Sequence, residues 1–386
     1  MEWRVPLADI DFGLEEEEAV QKVIRSRWLS MGEVTAGFEQ DFAAFIGAKH
    51  ALAVTNATAA LHLACLAAGV GAGDEVIVPS LTFVATANAV RYTGAAPVFA
   101  DVESLDWLTI SPDSIESLIT ERTRAILIMH YAGYACDMPA IMEIARRHNL
   151  TVLEDAAHSI GSTLEGRALG AWGAVGCFSF FSNKNMTTGE GGMLTTNDDA
   201  LAEKLRILRS HGMTSLSWDR HKGHAYTYDV VDLGYNYRID EIRAALGRAQ
   251  LKKLPANNAR RKKLTALYRE LLSELAPEVQ VPFAKERGVG CDHIMPALLP
   301  PGVDRIQFME GLKSRGIQTS IHYPPAHRFQ VYEKEWMKRG AALPVTEEAA
   351  AREVTLPLYP AMREEQVEWV AQAIRETLQE NARPGE

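Results

Sequence analysis

A lysine and an aspartate near the middle of the chain have side chains and positions that suit catalysis. Lys184 lies in a polar stretch, SNKNMTTGEGG, that ends in glycines, and Asp155 follows the apolar run TVLE twenty-nine residues earlier. A lysine amine can condense with an aldehyde, and a carboxylate can keep a pyridine nitrogen protonated so that the ring accepts electrons. The pair therefore predicts chemistry with pyridoxal phosphate, although a loop lysine by itself is usually solvated and a strand-end aspartate often caps a turn.

Three further features could hold the rest of such a cofactor. In VTNATAALHLAC a strand ends at Val54 and a helix starts near Thr58, so free N–H groups at the helix N-terminus could bind a phosphate. Ser179 precedes Lys184 by five residues and could hydrogen-bond the phosphate, and Phe83 in PSLTFVATA could stack on the ring. Each has an ordinary alternative, namely a helix cap, a hydroxyl satisfied within its own sheet, and a core aromatic.

The elements that must position these residues follow a regular alternation of strands and helices. Helical patterns such as TAALHLACLAAGV and MPAIMEIARRHN separate most of the short β-branched runs, which predicts a mostly parallel sheet with helices on both faces. The last three runs are joined by loops too short for a helix, so part of the sheet could be antiparallel. Seven strands are predicted, at residues 51–55, 75–80, 96–102, 124–132, 151–156, 174–181 and 191–197.

The sequence pattern changes near residue 237. The stretch from there to about 275 predicts one long helix or two consecutive helices broken near Pro255, and shorter strand and helix patterns follow it. We therefore predict an α/β fold with two domains. The large cofactor-binding domain would cover 1–250, including an N-terminal helix at 14–28, and a smaller α+β domain would cover 251–386.

The composition argues against several classes of protein. The 386 residues carry a formal net charge of −10, which disfavours a nucleic-acid partner because nothing supplies a basic stripe to meet phosphates. The N-terminus lacks the basic and apolar regions of a signal peptide, and no apolar run approaches the roughly 20 residues of a membrane span. We therefore expect a cytoplasmic protein with no membrane partner and no metal site. Its cysteines are expected to be buried free thiols, at Cys65, Cys136, Cys177 and Cys291.

A series of segments along the chain occurs in the same order as in a known enzyme family. They are RSRWLSMG, ATAALHLA, GDEVIVPSLTFVATANAV, PVFADV, EDAAHSIGS, CFSFFSNKNMTTGEGGML, LGYNYRIDEIRAALGRAQL and IHYPPAH. Several are loose matches individually, but together they are highly specific. On these segments the chain resembles the DegT/DnrJ/StrS family of sugar aminotransferases, a branch of the fold-type I pyridoxal-phosphate enzymes. The resemblance implies that family's fold, with a large domain around a seven-stranded sheet.

The resemblance also implies catalytic roles for matching residues. Lys184 would bind the cofactor aldehyde and move protons, and Asp155 would pair with the pyridine nitrogen. His158 would lie beside the phenolic oxygen of the cofactor, and Phe83 would cover its ring.

The rest of the implied site is shared between two subunits of a homodimer. The residues at the cofactor phosphate would be Ala57, Thr58, Ser179 and, from the neighbouring subunit, Asn236. The residues facing the substrate would be Arg238, Tyr323 and His327. Two segments depart from the family pattern: TNATAALH stands where a Ser-Gly-Thr start is more frequent, and Arg27 stands where glycine is frequent.

By the same resemblance, the reaction is a ping-pong transamination in which L-glutamate donates the amino group and a keto sugar receives it. The sugar would be a nucleotide-linked 4-keto- or 3-keto-6-deoxyhexose, of which we favour the 4-keto sugar, and His221 and Lys222 are candidates for binding its diphosphate. One alternative is an aminotransferase that acts on a keto-inositol. A non-catalytic regulatory homologue is a second alternative, which the presence of Asp155, Ser179 and Lys184 together disfavours. Sugar dehydratases of the family carry histidine in place of the lysine, so Lys184 argues against that activity.

Overall fold

The sheet that organises the protein has seven strands, and it is seen in a computed structural model that describes residues 3–214, 227–285 and 287–381. Each of the seven predicted strands is present. Their bounds are His50–Val54 (β1), Glu75–Pro79 (β2), Ala96–Ala100 (β3), Thr123–Met129 (β4), Thr151–Asp155 (β5), Val175–Ser179 (β6) and Gly192–Thr196 (β7).

The strand order is β1-β7-β6-β5-β4-β2-β3, and five of the strands form a continuous parallel array from β6 to β3. β7 is antiparallel to both of its neighbours, β1 and β6, which confirms the predicted antiparallel part of the sheet. β1 therefore points in the same direction as the parallel strands. As a consequence, the carboxyl ends of β1, β4, β5 and β6 meet at one edge of the sheet, where open α/β folds place their ligands.

Helices flank the sheet, and several begin at an aspartate whose carboxylate accepts hydrogen bonds from first-turn amides, as Asp137, Asp198 and Asp240 do. The helices, in chain order, are Leu14–Ser26 (α1), Glu33–Ile46 (α2), Ala57–Ala67 (α3), Ala85–Tyr92 (α4), Pro112–Ser117 (α5), Met138–His148 (α6), Asp199–Arg209 (α7), Glu241–Leu275 (α8), Arg305–Ser314 (α9), Gln330–Met337 (α10), Pro344–Arg352 (α11) and Glu364–Asn381 (α12). Short 3₁₀ helices lie at Tyr131–Gly133 and Ala326–Arg328.

Three two-stranded sheets complete the strand inventory of the described residues. Their pairs are Val102–Ser104 with Trp107–Ile110, Thr163–Leu164 with Arg167–Ala168, and Met295–Leu298 with Glu353–Leu356. The last pair lies in the C-terminal part of the chain, where helices α9 and α12 pack against each other.

Helix α1 ends earlier than the predicted residue 28. Arg27 caps it with a φ of 62°, a left-handed backbone conformation that glycine adopts without cost and other residues adopt under strain. The departure from glycine noted at this position in the sequence therefore falls on a residue whose backbone geometry favours glycine.

Helix α8 is a single helix of 35 residues that continues through Pro255. Leu251 and Leu254 are buried in one hydrophobic cluster with residues of α2 and the sheet, and Leu264 and Tyr268 are buried in a second cluster with C-terminal residues. Burial on both sides of the proline explains why the helix survives the lost backbone hydrogen bond. The domain boundary predicted at residue 250 lies inside this helix.

No helix among the described residues is both long enough and apolar enough to cross a membrane.

Candidate active site

A cavity of about 400 Å³ opens at the edge of the sheet where the strand carboxyl ends meet. Asp155 at the end of β5 and Ser179 at the end of β6 both line it. The first residues of α3, which follows β1, and Lys184 from the loop between β6 and β7 complete the same wall. The two residues that first suggested catalysis, separated by twenty-nine positions in the chain, are therefore brought to one cavity.

Lys184 is held in the cavity wall by the loop that connects β6 to β7. Its Nζ lies 3.4 Å from Nε2 of His293. Burial lowers the pKa of Lys184 from 10.5 to about 8, because the charged ammonium loses hydration there, and the nearby carboxylate of Asp155 opposes this fall. Near neutral pH a usable fraction of this amine is unprotonated, which is the form that attacks a carbonyl or takes up a proton.

Asp155 is buried at the end of β5, opposite Met129 of β4 and Cys177 of β6. Its Oδ2 accepts a hydrogen bond of 2.8 Å from the hydroxyl of Thr86, and its Oδ1 accepts one of 3.1 Å from the amide of Ala157. Burial raises the pKa of Asp155, and these two hydrogen bonds oppose the rise. A buried carboxylate whose charged form is favoured by two donors is suited to hold a positively charged ring nitrogen.

The strand end that carries Asp155 is fixed by its neighbour Glu154, which is fully buried on the other face of the sheet. The carboxylate of Glu154 accepts hydrogen bonds from the amides of Gly170 and Trp172, each 2.7 Å long. Nε2 of His130 lies 2.9 Å from the same carboxylate. With its acceptors satisfied, Glu154 locks the backbone of β5 and therefore the direction in which Asp155 points.

The N-terminus of α3 forms the end of the cavity that suits a phosphate. Asn56 caps the helix by accepting a hydrogen bond from the amide of Ala59, and the amides of Ala57 and Thr58 belong to the first turn, where no helical carbonyl can accept from them. Gly192 in β7 lies directly against this helix start. A Cβ at position 192 would lie 2.6 Å from the carbonyl carbon of Asn56, so glycine allows the strand and the helix N-terminus to pack this closely. Free amides and a positive helix end are what a phosphate dianion needs.

His158 and Tyr323 form a hydrogen-bonded pair on another wall. Nδ1 of His158 accepts from the amide of Ala132 at 3.3 Å, so the proton of the neutral ring is on Nε2, which donates to the Tyr323 hydroxyl at 2.9 Å. Burial lowers the pKa of His158 well below its usual value, which keeps the ring neutral. The hydroxyl proton of Tyr323 is then free for another acceptor in the cavity. Phe83 lies at the mouth, 53% exposed, with its ring centroid 5.7 Å from that of Tyr323.

The structure does not bring all of the expected residues to this cavity. His327 is buried elsewhere, with its Nδ1 2.6 Å from the hydroxyl of Ser80 and its Nε2 3.1 Å from Glu347. It does not line the cavity of its own chain, so its contact with a substrate stays a prediction. Asn236 is exposed and Arg238 half-buried, and neither lines the cavity of its own chain. His221 and Lys222 lie outside the described residues.

Several residues of the site had no individual signal in the sequence. Thr86 supports Asp155 from α4, and Asn185 and His293 lie next to Lys184. His322, beside Tyr323 in the chain, and Asn183 also line the cavity. The adjacency of Asn183 to Lys184 and of His322 to Tyr323 was the only available clue, whereas the role of Thr86 and His293 depends on contacts through space.

The residues present fit pyridoxal phosphate. Asn183 offers a direct observation, because it is one of the residues that line the cavity and its buried Oδ1 has no hydrogen-bond partner among the described residues. A buried acceptor of this kind is costly unless a ligand or water satisfies it. The amine of Lys184, the carboxylate of Asp155 and the amides at Ala57 and Thr58 supply groups for an aldehyde, a ring nitrogen and a phosphate, respectively.

Comparison with known proteins gives the family. The model of the DegT/DnrJ/EryC1/StrS aminotransferase family matches residues 11–375. This chain belongs to that family. The family member described here is thus a sugar aminotransferase of the pyridoxal-phosphate class, with the fold-type I architecture that the sheet and its connections display.

Individual relatives align with nearly the whole length of this chain. The spore coat polysaccharide biosynthesis protein SpsC of Bacillus subtilis is 40% identical over 371 residues, 95% of each chain. The solved structure of DesI in the presence of its TDP-sugar product is 32% identical with a TM-score of 0.86, and covers 97% of this chain and 92% of DesI. Spr1654 from Streptococcus pneumoniae has been solved in PLP and PMP forms, 25% and 26% identical, with a TM-score of 0.90 and coverage of 98% and 100%.

Proposed function

We propose that this aminotransferase moves an amino group from L-glutamate to a nucleotide-linked 4-keto-6-deoxysugar, using pyridoxal phosphate in the cavity described above. The observation that carries the proposal is the convergence of Lys184, Asp155 and the amides of Ala57 and Thr58 on one cavity. Family membership and the TDP-sugar product seen with DesI support a nucleotide-linked sugar as the substrate class. The similarity to SpsC supports a product destined for a polysaccharide.

The cofactor supplies an aldehyde for the incoming amine and a ring that accepts the electrons of the bond to be broken. The residues of the chain bind, orient and move protons. The α3 N-terminus and Ser179 would hold the phosphate, and the carboxylate of Asp155 would hold the ring nitrogen in its protonated form. With its pKa near 8, Lys184 can exchange a proton at Nζ in either direction close to neutral pH, as general base and then general acid.

The opposite wall would orient the reacting end of the substrate. Because Nε2 of His158 donates to the Tyr323 hydroxyl, that hydroxyl can donate its own proton to an oxygen bound beside it. Phe83 at the mouth would cover the ring and limit the access of water. We further propose that the active form is a homodimer in which Asn236 of the partner subunit reaches the phosphate, with Arg238 near the same boundary. The exposure of Asn236 in the single chain is compatible with this role.

Purified protein incubated with pyridoxal phosphate, L-glutamate and a panel of ketones tests the proposal. The panel contains TDP- and UDP-linked 4-keto- and 3-keto-6-deoxysugars and a keto-inositol, and the aminated products are measured by mass spectrometry. We expect the 4-keto nucleotide sugars to be converted and the keto-inositol not to be. Conversion of the keto-inositol alone would reject the sugar substrate, and undiminished conversion by Lys184→Ala would reject the role of that lysine.

A further inference from the structure

The amine of Lys184 lies within hydrogen-bonding distance of a histidine from a distant part of the chain. His293 lies 109 positions further on, just before the strand Met295–Leu298, and its ring is buried. Its Nε2 is 3.4 Å from Nζ of Lys184, and its Nδ1 is 2.8 Å from Oδ1 of Asn185. The two ring nitrogens thus join the lysine to the side chain of the residue that follows it.

The orientation of Asn185 is fixed by its other contacts. Its Nδ2 donates to the backbone carbonyl of Cys291 at 2.9 Å and to Oδ1 of Asn258 at 2.8 Å. Because both of those partners accept hydrogen bonds only, the amide nitrogen of Asn185 must face them, and its oxygen must face His293. An amide oxygen has no proton to give, so Nδ1 of His293 carries a proton and donates it to Asn185.

The remaining nitrogen of His293 is therefore an acceptor. Burial and the positive charges of Lys184 and Arg261 lower the pKa of His293 well below its usual value, so the ring carries one proton, on Nδ1. Nε2 then presents a lone pair to Nζ of Lys184, which donates to it. The carbonyl of Cys291 thus fixes the orientation of the Asn185 amide, and that orientation in turn fixes the tautomer of His293.

We propose that His293 is a positioning residue for Lys184. When the lysine is not bonded to the cofactor, Nε2 of His293 would accept a hydrogen bond from its amine and hold the amine in place. The proposal rests on the proposed function, because it concerns the lysine after an amino donor has displaced it from the cofactor. Held by one N–H, the neutral amine keeps its lone pair available to take a proton and cannot swing away along its four-carbon stem. A lysine without this acceptor has more orientations and spends less time at the reacting carbon.

The experiment compares His293→Phe, which keeps an aromatic ring but has no acceptor, with His293→Gln, whose Oε1 can accept from the lysine. In the first half-reaction with L-glutamate, we expect the phenylalanine variant to be roughly tenfold or more slower at unchanged KM, and the glutamine variant to stay within a fewfold of wild type. The isotope effect of α-deuterated glutamate should rise only in the phenylalanine variant, because proton transfer then limits the rate.

A second readout needs no cofactor. The pH dependence of Lys184 acylation in the cofactor-free protein, followed by peptide mass spectrometry, reports the pKa of this amine. The acceptor at His293 stabilises the ammonium form, so the midpoint should fall by about one pH unit in His293→Phe and return towards wild type in His293→Gln. The other titratable groups around the pair, which are Asp155, His158, Cys291, Arg261 and His322, are the same in all three proteins.

Equal losses in the phenylalanine and glutamine variants, or a wild-type rate and midpoint in His293→Phe, would overturn the proposal. If His293→Phe does not fold, the glutamine variant decides alone: a midpoint and rate near wild type support the role, and a tenfold loss rejects it. Failure of the proposed function would be seen separately, as transamination that survives Lys184→Ala whatever is found at His293.

Discussion

Lys184 should make the cofactor-free protein less stable, and replacing it with methionine should make that protein more stable. The pKa of Lys184 falls from 10.5 to about 8 on folding. Since each pKa unit is worth 1.36 kcal/mol, the fall corresponds to about 3 kcal/mol of lost stability at pH 7. Lys184→Met has a similar length and no charge, so it removes this cost together with the hydrogen bond to His293, which is worth about 1 kcal/mol. Water in the cavity lowers the desolvation cost of the lysine, so we expect Lys184→Met to raise the unfolding free energy by about 1–2 kcal/mol.

The pH dependence distinguishes this cause from better packing. Between pH 8 and 10.5 the unfolded chain binds more protons at this lysine than the folded chain does, so the stability of the wild type rises with pH across that window. The advantage of Lys184→Met is therefore complete below pH 8 and disappears as the pH approaches 10.5. Urea unfolding of both cofactor-free proteins at pH 7 and pH 10.5, followed by tryptophan fluorescence, measures the difference.

A matched control uses a lysine outside the cavity. Lys313 is exposed on α9 and pairs with Glu310 in the same helix, so Lys313→Met should change the unfolding free energy by no more than about 0.5 kcal/mol at either pH. The reasoning about Lys184 is refuted if its methionine variant is no more stable than wild type at pH 7. It is also refuted if the gain is the same at both pH values.

Three further predictions concern residues around the site and the fold. Arg27→Gly should raise the unfolding free energy by about 0.5–1 kcal/mol, measured by urea denaturation, because glycine adopts the left-handed conformation there without strain. Thr86→Val removes a donor to the buried Asp155 carboxylate, so the pKa of that carboxylate should rise further. The acidic limb of the pH–kcat profile should then move to higher pH, and an unmoved limb would contradict this role for the hydroxyl. His327→Leu leaves the buried Ser80 hydroxyl with only the long 3.4 Å hydrogen bond from the amide of residue 327. It should cost about 1–3 kcal/mol of stability, with both KM values unchanged in steady-state assays.

The sheet could be predicted from the sequence because its signals are local. Each of the seven strands is a β-branched run bounded by turn or helix residues, and the short connection between β6 and β7 indicated the antiparallel part. The connection before β6 was also judged too short for a helix, but it joins two parallel strands. The continuity of α8 could not be decided in the same way. A proline inside a helical pattern favours a break, and the packing of Leu254 and Leu264 on either side of Pro255 becomes visible only in three dimensions.

The candidate site was predictable to the extent that its residues follow strands or begin a helix. Asp155 and Ser179 end neighbouring strands, so their position at one cavity follows from the topology. Thr86 and His293 carry no such signal, since each acts on a residue far away in the chain. Tyr323 lines the cavity whereas His327, four residues later, does not, because closeness in sequence does not fix where a side chain points.

The long helix α8 bears on how the molecule comes apart. At 1.5 Å per residue, its 35 residues extend for about 50 Å and contribute side chains to both the N-terminal and the C-terminal hydrophobic clusters. If either hydrophobic cluster unfolds, one half of α8 loses the contacts that keep it helical next to Pro255. Unfolding of the N-terminal and C-terminal parts of the chain should therefore be coupled through this helix, and cleavage at residue 250 would leave neither fragment with the complete helix.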